Sequence, residues 1–366
     1  MFSPSFIITN KMLSNLIAIE VAEKIAELAK LQPDWEERLR KENLIRKIYS
    51  MSRFSANDLS LDDVAKIVKD EPGRDDKATQ VAMRAGAIGK EKDIQQVLNL
   101  LNVNRLTEQL AFLAGKFKHE VYGEKELSQT NTLLGERLVA PNEVGSWRER
   151  EADGFTAVPP LAVEVPFQIE DLMGWYKSTN KNEVHPMNKA GIMFYEIMRI
   201  CPYTENNTLT ALCFYQLILS SEGFGFKKLL SMEEDILKNK DSFQQAVSSV
   251  ERNGGELTVW LEYLSRCLSE AAGKVQTKVM NLVGDTPIFK TDGGRVISLS
   301  ERQIAIMEEI TLKNEMTIKE IRNVLPMVSD DTILRDLKDL IDKKLIRKKG
   351  KTKGALYVMG KAKSYR

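Results

Sequence analysis

Over almost the whole of the first 280 residues the apolar side chains recur at a helical period, and strand signals are scarce. A chain patterned this way folds as a mainly α protein. Residues 15–31 place Leu16, Ile19, Val21, Ala22, Ile25, Ala26, Leu28 and Ala29 on one amphipathic stripe. A second helix is expected over 35–49. A third covers 60–68, opened by Ser60 as N-cap with Asp63 at its third position. Residues 70–77 form a polar turn, after which helices resume over 93–103 and 105–121. Farther along, 232–238, 240–252 and 257–280 read as helices. Asn253-Gly254-Gly255 parts the last two, glycine supplying the positive φ that ends a helix.

The 366 residues exceed one ordinary core and imply two or three folded units. A chain 43% hydrophobic and 29% charged has the composition of a soluble globular protein. No apolar stretch reaches the roughly 18–20 residues of a membrane span, so no membrane partner is expected. The opening residues lack the basic start of a signal peptide. Three cysteines at unpatterned spacing argue against a disulfide framework or zinc site and for a reducing, cytoplasmic compartment. Two histidines, His119 and His185, exclude a histidine-rich metal centre.

Turn formers cluster at 285–294, and beyond them the character changes. Helices are expected over 300–313, 317–324 (Thr317 capping, Glu320 three residues on) and 329–343 (opened by Ser329). A strand over 345–349, a basic loop over 350–354 and a strand over 355–359 follow. This order resembles a winged helix-turn-helix, and Ser329-x-x-Thr332-x-x-Arg335-Asp336-Leu337 resembles its recognition helix. Residues 313–366 hold 15 basic and seven acidic side chains, so the positive charge is concentrated here. Ser329, Thr332, Arg335 and Lys338 on the helix, with Lys348, Lys349, Lys351 and Lys353 on the wing, are the candidate DNA contacts. Two other readings stay open: a winged helix used for dimerisation or protein docking, and a merely solvated basic face.

The most specific segment is Cys201-Pro-Tyr-Thr-Glu-Asn-Asn-Thr-Leu209, followed by an apolar run to Leu219. It resembles the active-site loop of the Fic (AMPylation) family, His-Pro-Phe-x-Asp/Glu-Gly-Asn-Gly-Arg-x-x-Arg. Pro202, Tyr203, Glu205 and Asn207 keep the pattern. Cys201 stands for the histidine, Asn206 and Thr208 for the glycines, Leu209 and Leu212 for the arginines. Gly145-Ser-Trp-Arg148 resembles the start of the family's β-hairpin flap. Val158-Pro-Pro160, Glu164-Val-Pro166 and Asp171–Tyr176 resemble its proline-rich link and next helix, and His185-Pro-x-x-x-Ala190 the helix leading into the loop. The resemblance implies a Fic-type helical bundle with a small β-hairpin flap. The regions expected are an N-terminal helical region at 1–125, a Fic-like core at 126–285 and a winged helix at 295–366.

What the resemblance implies for chemistry is mostly loss. In the family the histidine deprotonates a target hydroxyl that attacks the α-phosphate of ATP, and imidazole suits that task. Cys201 is a degenerate base position, either a packed small hydrophobe or a nucleophile. Glu205 occupies the Mg²⁺-binding position, and Glu205, Asn206, Asn207 and Thr208 form a degenerate anion loop. Asn206 tolerates left-handed geometry, whereas β-branched Thr208 does not. Leu209 and Leu212 remove two phosphate-binding cations. Met51–Leu61 resembles the family's inhibitory helix, with Ser55 for its glutamate, Ala56 for the glycine and Asn57 retained; the bland reading is a plain helix start.

Three functions follow. The first is an inactive Fic scaffold acting as a regulator or adaptor, with no cofactor, a DNA-binding winged helix and a peptide or protein in the flap groove beneath Trp147 and Tyr203. The second is a divergent AMP transferase using ATP and Mg²⁺ through Cys201 and Glu205. The third is a self-assembling structural protein, at its simplest a homodimer.

Overall fold

The computed structural model describes residues 2–29, 31, 33–117, 122–152, 159–180, 182–284, 289–290, 296–297, 299–325, 328–350 and 355–360. The chain divides into two compact units, Met1–Val279 and Met280–Arg366.

The first unit is built from α1 (Asn10–Leu28), α2 (Pro33–Ser52), α3 (Leu61–Lys69), α4 (Ala78–Ala85), α5 (Glu91–Phe117), α6 (Glu124–Gly135), α7 (Val165–Ser178), α8 (Pro186–Ile200), α9 (Asn207–Ser221), α10 (Glu233–Lys238), α11 (Lys240–Arg252) and α12 (Thr258–Gly284) up to Val279. Local capping sets several starts. α1 begins five residues before its apolar stripe is legible because the Thr9 hydroxyl accepts from the Met12 N–H at 3.2 Å. At α3 the Ser60 hydroxyl accepts from the Asp63 N–H at 3.1 Å, the N-cap expected from the sequence. Residues 93–103 and 105–121 are not two helices: α5 runs unbroken through Asn104. The Asn104 side chain bonds Lys47 and Glu108 and leaves the backbone helical.

α8 is the centre of the unit, buried along nearly its whole length. α9 packs along it, α7 covers it, and α5 and α6 pack on α9. Gly191 lets α12 approach closely: a Cβ there would lie 2.8 Å from Leu261 Cδ2 and 3.1 Å from Leu264 Cδ1. The Trp260 indole N–H donates to the Gly191 carbonyl at 2.8 Å across this contact. Trp260 is fully buried and touches the rings of Phe194, Tyr195, Phe243 and Tyr263. Burying side chains of this size contributes about 1.5–3 kcal/mol each, so this cluster fixes α8 and therefore the loop that follows it.

The second unit contains a short pair of strands, β1 (Phe289–Lys290) and β2 (Val296–Ile297), then α13 (Glu301–Lys313), β3 (Glu315–Thr317), α14 (Ile318–Val324), α15 (Asp330–Asp342), β4 (Ile346–Lys349) and β5 (Leu356–Met359). β3, β5 and β4 form an antiparallel sheet in that spatial order. The sequence pattern does not reveal β3, three residues ending at the Thr317 cap of α14. Thr317 and Ser329 cap α14 and α15 as expected, and Ser300 caps α13. Ile306, Ile310, Ile321, Ile333 and Leu337 form the core. Arg302 Nε to Asp336 at 2.7 Å and Gln303 to Asp339 at 2.6 Å tie α13 to α15.

Candidate functional site

The junction between α8 and α9 is held by side chains from outside it. α8 stops where Cys201 turns left-handed (φ 49°), while the Cys201 N–H still reaches the Ile197 carbonyl at 3.0 Å. Pro202 cannot extend the helix. Asn207 then closes the loop on itself: its Oδ1 accepts the Tyr203 N–H at 2.8 Å and its Nδ2 donates to the Tyr203 carbonyl at 2.7 Å. Asn206 is the second left-handed residue (φ 63°), and its carbonyl accepts the Thr210 N–H at 2.8 Å. The Asn206 side chain makes no cap bond, and the amides of Asn207, Thr208 and Leu209 lie in the first turn of α9, ahead of any intrahelical carbonyl. Thr208 has ordinary right-handed geometry within α9. The conflict expected between a β-branched residue and a left-handed loop therefore does not arise.

Two braces fix this loop, and the sequence reading assigns a role to neither. Asn131 on α6 donates to the Glu205 carbonyl at 2.9 Å and the Thr210 hydroxyl at 3.1 Å, and accepts the Gly145 N–H at 3.0 Å. Arg148 is buried at 4% exposure. It donates from its backbone to the Pro202 carbonyl at 2.9 Å, and from its guanidinium to the carbonyls of Cys201 at 2.7 Å and Arg150 at 2.9 Å, reaching Pro160 as well. Gly145 sits at φ 69°, and a Cβ there would lie 2.1 Å from Thr132 Oγ1. Trp147 packs on Tyr203 with ring centroids 5.2 Å apart, and Tyr203 is fully buried. Residues 145–150, where the hairpin flap was expected to begin, form a turn, bends and irregular backbone, and no strand is seen as far as 152; 153–158, with the Val158 of the proline-rich link, lie outside the described residues.

Comparison with known proteins places this geometry. The Fic/DOC family matches residues 123–219, the span that holds α6, both braces, the loop and α9 except its last two residues. The chain carries a Fic/DOC domain. Two curated relatives are the protein adenylyltransferase Fic of Nematostella vectensis, 24% identical over 127 residues (35% of this chain, 28% of that protein), and the protein adenylyltransferase fic-1 of Caenorhabditis briggsae, 24% identical over 233 residues (63% and 42%). The chain thus spans less than half the length of the curated relatives it matches. A Fic family protein from Desulfovibrio desulfuricans G20 shares the fold over 100% of both chains, with a TM-score of 0.62 at 20% identity. A Fic domain containing signaling protein from Bacteroides thetaiotaomicron shares it over 74% of this chain and 98% of its own, with a TM-score of 0.56 at 14% identity.

Within the Fic loop, Cys201 is buried at 5% exposure, and that burial pushes its thiol above the ordinary range, against a smaller opposing pull from the Arg148 cation. The arginine beside this cysteine comes from 53 residues upstream, a cation the motif alone does not reveal. Because the folded thiol holds its proton longer than the unfolded one, its contribution to stability is fully present below the unfolded value, about 8.5. It is lost as pH rises above that. Iodoacetamide at pH 7.5 should alkylate native Cys201 at least about tenfold more slowly than the unfolded chain, read by mass spectrometry of the Cys201 peptide. Glu205 is exposed, and among the described residues no three acids, cysteines or histidines converge as a metal-ligand group. Leu209 and Leu212 are buried at 5% and 0% exposure.

The segment resembling the inhibitory helix is built differently from the loop and is not bonded to it among the described residues. After α2, Arg53–Ser55 makes one 3-10 turn and Ala56 turns left-handed (φ 53°). Ser55 is half-buried. Asn57 is buried and donates to the Asp93 carbonyl at 2.8 Å and Gln96 Oε1 at 2.7 Å, both on α5, the helix that packs on α9. An L-residue pays about 1–2 kcal/mol for left-handed backbone, and glycine gives part of that back in chain entropy. Ala56→Gly should therefore stabilise the protein by about 0.5–1 kcal/mol, measured as a higher urea midpoint at unchanged slope.

In the second unit Ser329 and Thr332 are spent on capping α15, their hydroxyls 2.9 Å apart. Arg335 and Lys338 are exposed on α15, and neither has a carboxylate partner among the described residues. On β4, Lys348 and Lys349 are exposed; Lys348 lies 6.0 Å from the Tyr357 ring centroid and Lys349 is 3.9 Å from Glu315. Lys351 and Lys353 lie outside the described residues, as does His119.

Proposed function

We propose that the Fic domain of this chain is a non-catalytic scaffold with a regulatory or adaptor role, joined to a winged helix-turn-helix that binds DNA. The observation that carries the first half is the burial of Leu209 and Leu212, apolar side chains where adenylyl transfer requires cations around the triphosphate. Cys201 agrees, since its thiol is held protonated and is a poor substitute for a general base. The residues present fit ATP and Mg²⁺ poorly, because Glu205 alone keeps its charge. The loop's backbone shape and the unspent amides at the start of α9 favour a second reading, a divergent AMP transferase onto protein hydroxyls through Cys201 and Glu205.

Titration of ATP, with and without Mg²⁺, into the protein and its Glu205→Ala form separates these. The scaffold reading expects no binding down to a Kd of about 1 mM. Micromolar, Mg²⁺-dependent binding weakened by Glu205→Ala, or ATP-dependent covalent modification of a protein, would replace it with the transferase.

The DNA reading rests on Arg335, Lys338, Lys348 and Lys349, exposed on one helix and one strand of a unit with three helices packed with a three-stranded sheet. Each phosphate-binding cation removed should lower the slope of log affinity against log salt by about one. Lys348→Glu with Lys349→Glu is expected to weaken binding to duplex DNA and flatten that slope. Unchanged self-association without DNA binding would favour the third reading, a structural assembly or homodimer. A protein or peptide in the groove beside Trp147 belongs to the adaptor role.

A further inference from the structure

A cavity of about 590 Å³ opens in the first unit, walled by α2, α5, the C-terminal half of α9 and the turn before α10. Its α9 wall begins at Tyr215, roughly 12 Å along the helix from the Fic loop at 1.5 Å per residue. The volume is that of a small-molecule site. One wall is strained: Phe226, Lys227 and Lys228 are all left-handed (φ 45°, 51° and 67°). α2 holds them there, with Arg40 Nε donating to the Lys227 carbonyl at 2.9 Å and Asn43 Nδ2 to the Lys228 carbonyl at 3.0 Å. Runs of such backbone persist only where their surroundings impose them, and they cluster at ligand sites.

The charges on the walls are mostly neutralised in pairs. Lys41 meets Glu71 and Lys228 meets Glu108, each at 2.6 Å, and Arg40 pairs with Glu36. The Lys227 ammonium is turned to the Ala29 carbonyl, and Glu37 is exposed. Two charges are left over. Lys47, half-buried, donates only to Asn104 Oδ1 at 3.1 Å, leaving two donors and no carboxylate partner among the described residues. Glu233 is buried at 2% exposure, bonded by the Gln216 amide and the Ser231 hydroxyl, with no cation partner among the described residues. Its place at the first position of α10 meets part of its charge but supplies no ion pair. Leu44, Phe112, Leu219 and Met232 supply apolar wall between them.

We infer that this cavity binds a free α-amino acid with an apolar side chain, its carboxylate on Lys47 and its ammonium toward Glu233. An anion alone would answer Lys47 and leave Glu233 buried without a counter-charge; a cation alone would do the reverse. The zwitterion answers both, and its side chain covers the apolar wall. The inference does not depend on the state of the Fic loop.

The test is calorimetric titration of the full chain with L-leucine, L-phenylalanine and L-tryptophan. Each is accompanied by its N-acetyl derivative, which lacks the ammonium, and its decarboxylated amine, which lacks the carboxylate. At least one free amino acid should bind with a Kd below about 1 mM, and both of its truncated forms at least tenfold more weakly. Lys47→Met and Glu233→Gln should each reproduce that loss, while Lys90→Met, at an exposed charge paired with Asp58 and outside the cavity, should not. The comparison among ligands uses the unaltered protein and so survives misfolding of a variant. Equal binding of the N-acetyl form would overturn the assignment in favour of a simple anion site, and no binding of any of the three amino acids at about 10 mM would overturn the site itself.

Discussion

Replacing Arg148 with alanine should cost about 3–4 kcal/mol of folding stability, the largest loss expected from any side chain bracing the Fic loop. The guanidinium is buried and its donors are spread over the carbonyls of Cys201, Arg150 and Pro160. Hydrogen bonds from a charged donor contribute about 1.5–3 kcal/mol each, and a buried carbonyl left unmet costs about 1–3 kcal/mol. Relief from desolvating the cation and entry of water offset part of that sum. The nearest carboxylate, Glu151, stands at 3.8 Å and is largely exposed, so alanine does not strand a buried anion. Lysine is no substitute, since a single ammonium cannot span three carbonyls in a fork. Urea unfolding measures the effect, and a loss below about 1 kcal/mol would show that the backbone of 200–203 holds without the brace.

Leu212→Arg should be at least as damaging, and the outcome bears on function. Leu212 has no exposed surface, and Leu209 beside it has 5%. Restoring the family's second arginine here puts a cation against a surround built for leucine, without the carboxylate that would pair with it. An uncompensated buried charge costs about 3–5 kcal/mol, so the variant should unfold early and gain no affinity for ATP. If it instead folds within about 1 kcal/mol of the parent and binds Mg²⁺-ATP at micromolar concentration, the loop retains a phosphate pocket and the scaffold reading falls.

Much of the helical organisation is legible in the sequence because it follows from short-range physics. The Ser60, Thr317 and Ser329 caps and the 240–252 helix need only local hydrogen bonding and periodicity. α4 and β3 are hidden because eight and three residues carry too little pattern. The false break at Asn104 comes from reading a polar residue as a terminator when its side chain has partners on α2 and within its own helix. In the loop, the family pattern locates Cys201 to Leu212 and the neighbouring Trp147-Arg148. It does not show that Arg148 braces the loop, nor that Thr208 falls inside a helix and avoids strain. Asn131 is invisible: an asparagine on an unremarked helix acquires meaning only when folding brings it to a carbonyl 74 residues away.

The bonds that shape the α8–α9 loop run mainly to backbone atoms: the Tyr203 amide and carbonyl, the Glu205 carbonyl and the Cys201 carbonyl. None of them inspects the side chains at 201, 205, 208, 209 or 212. Contour and reactivity are thus specified by separate sets of residues, and one can be rewritten without erasing the other. A frame of this kind can be retooled: exchange of a few inward-facing groups changes what the junction does while the path of the chain stays the same.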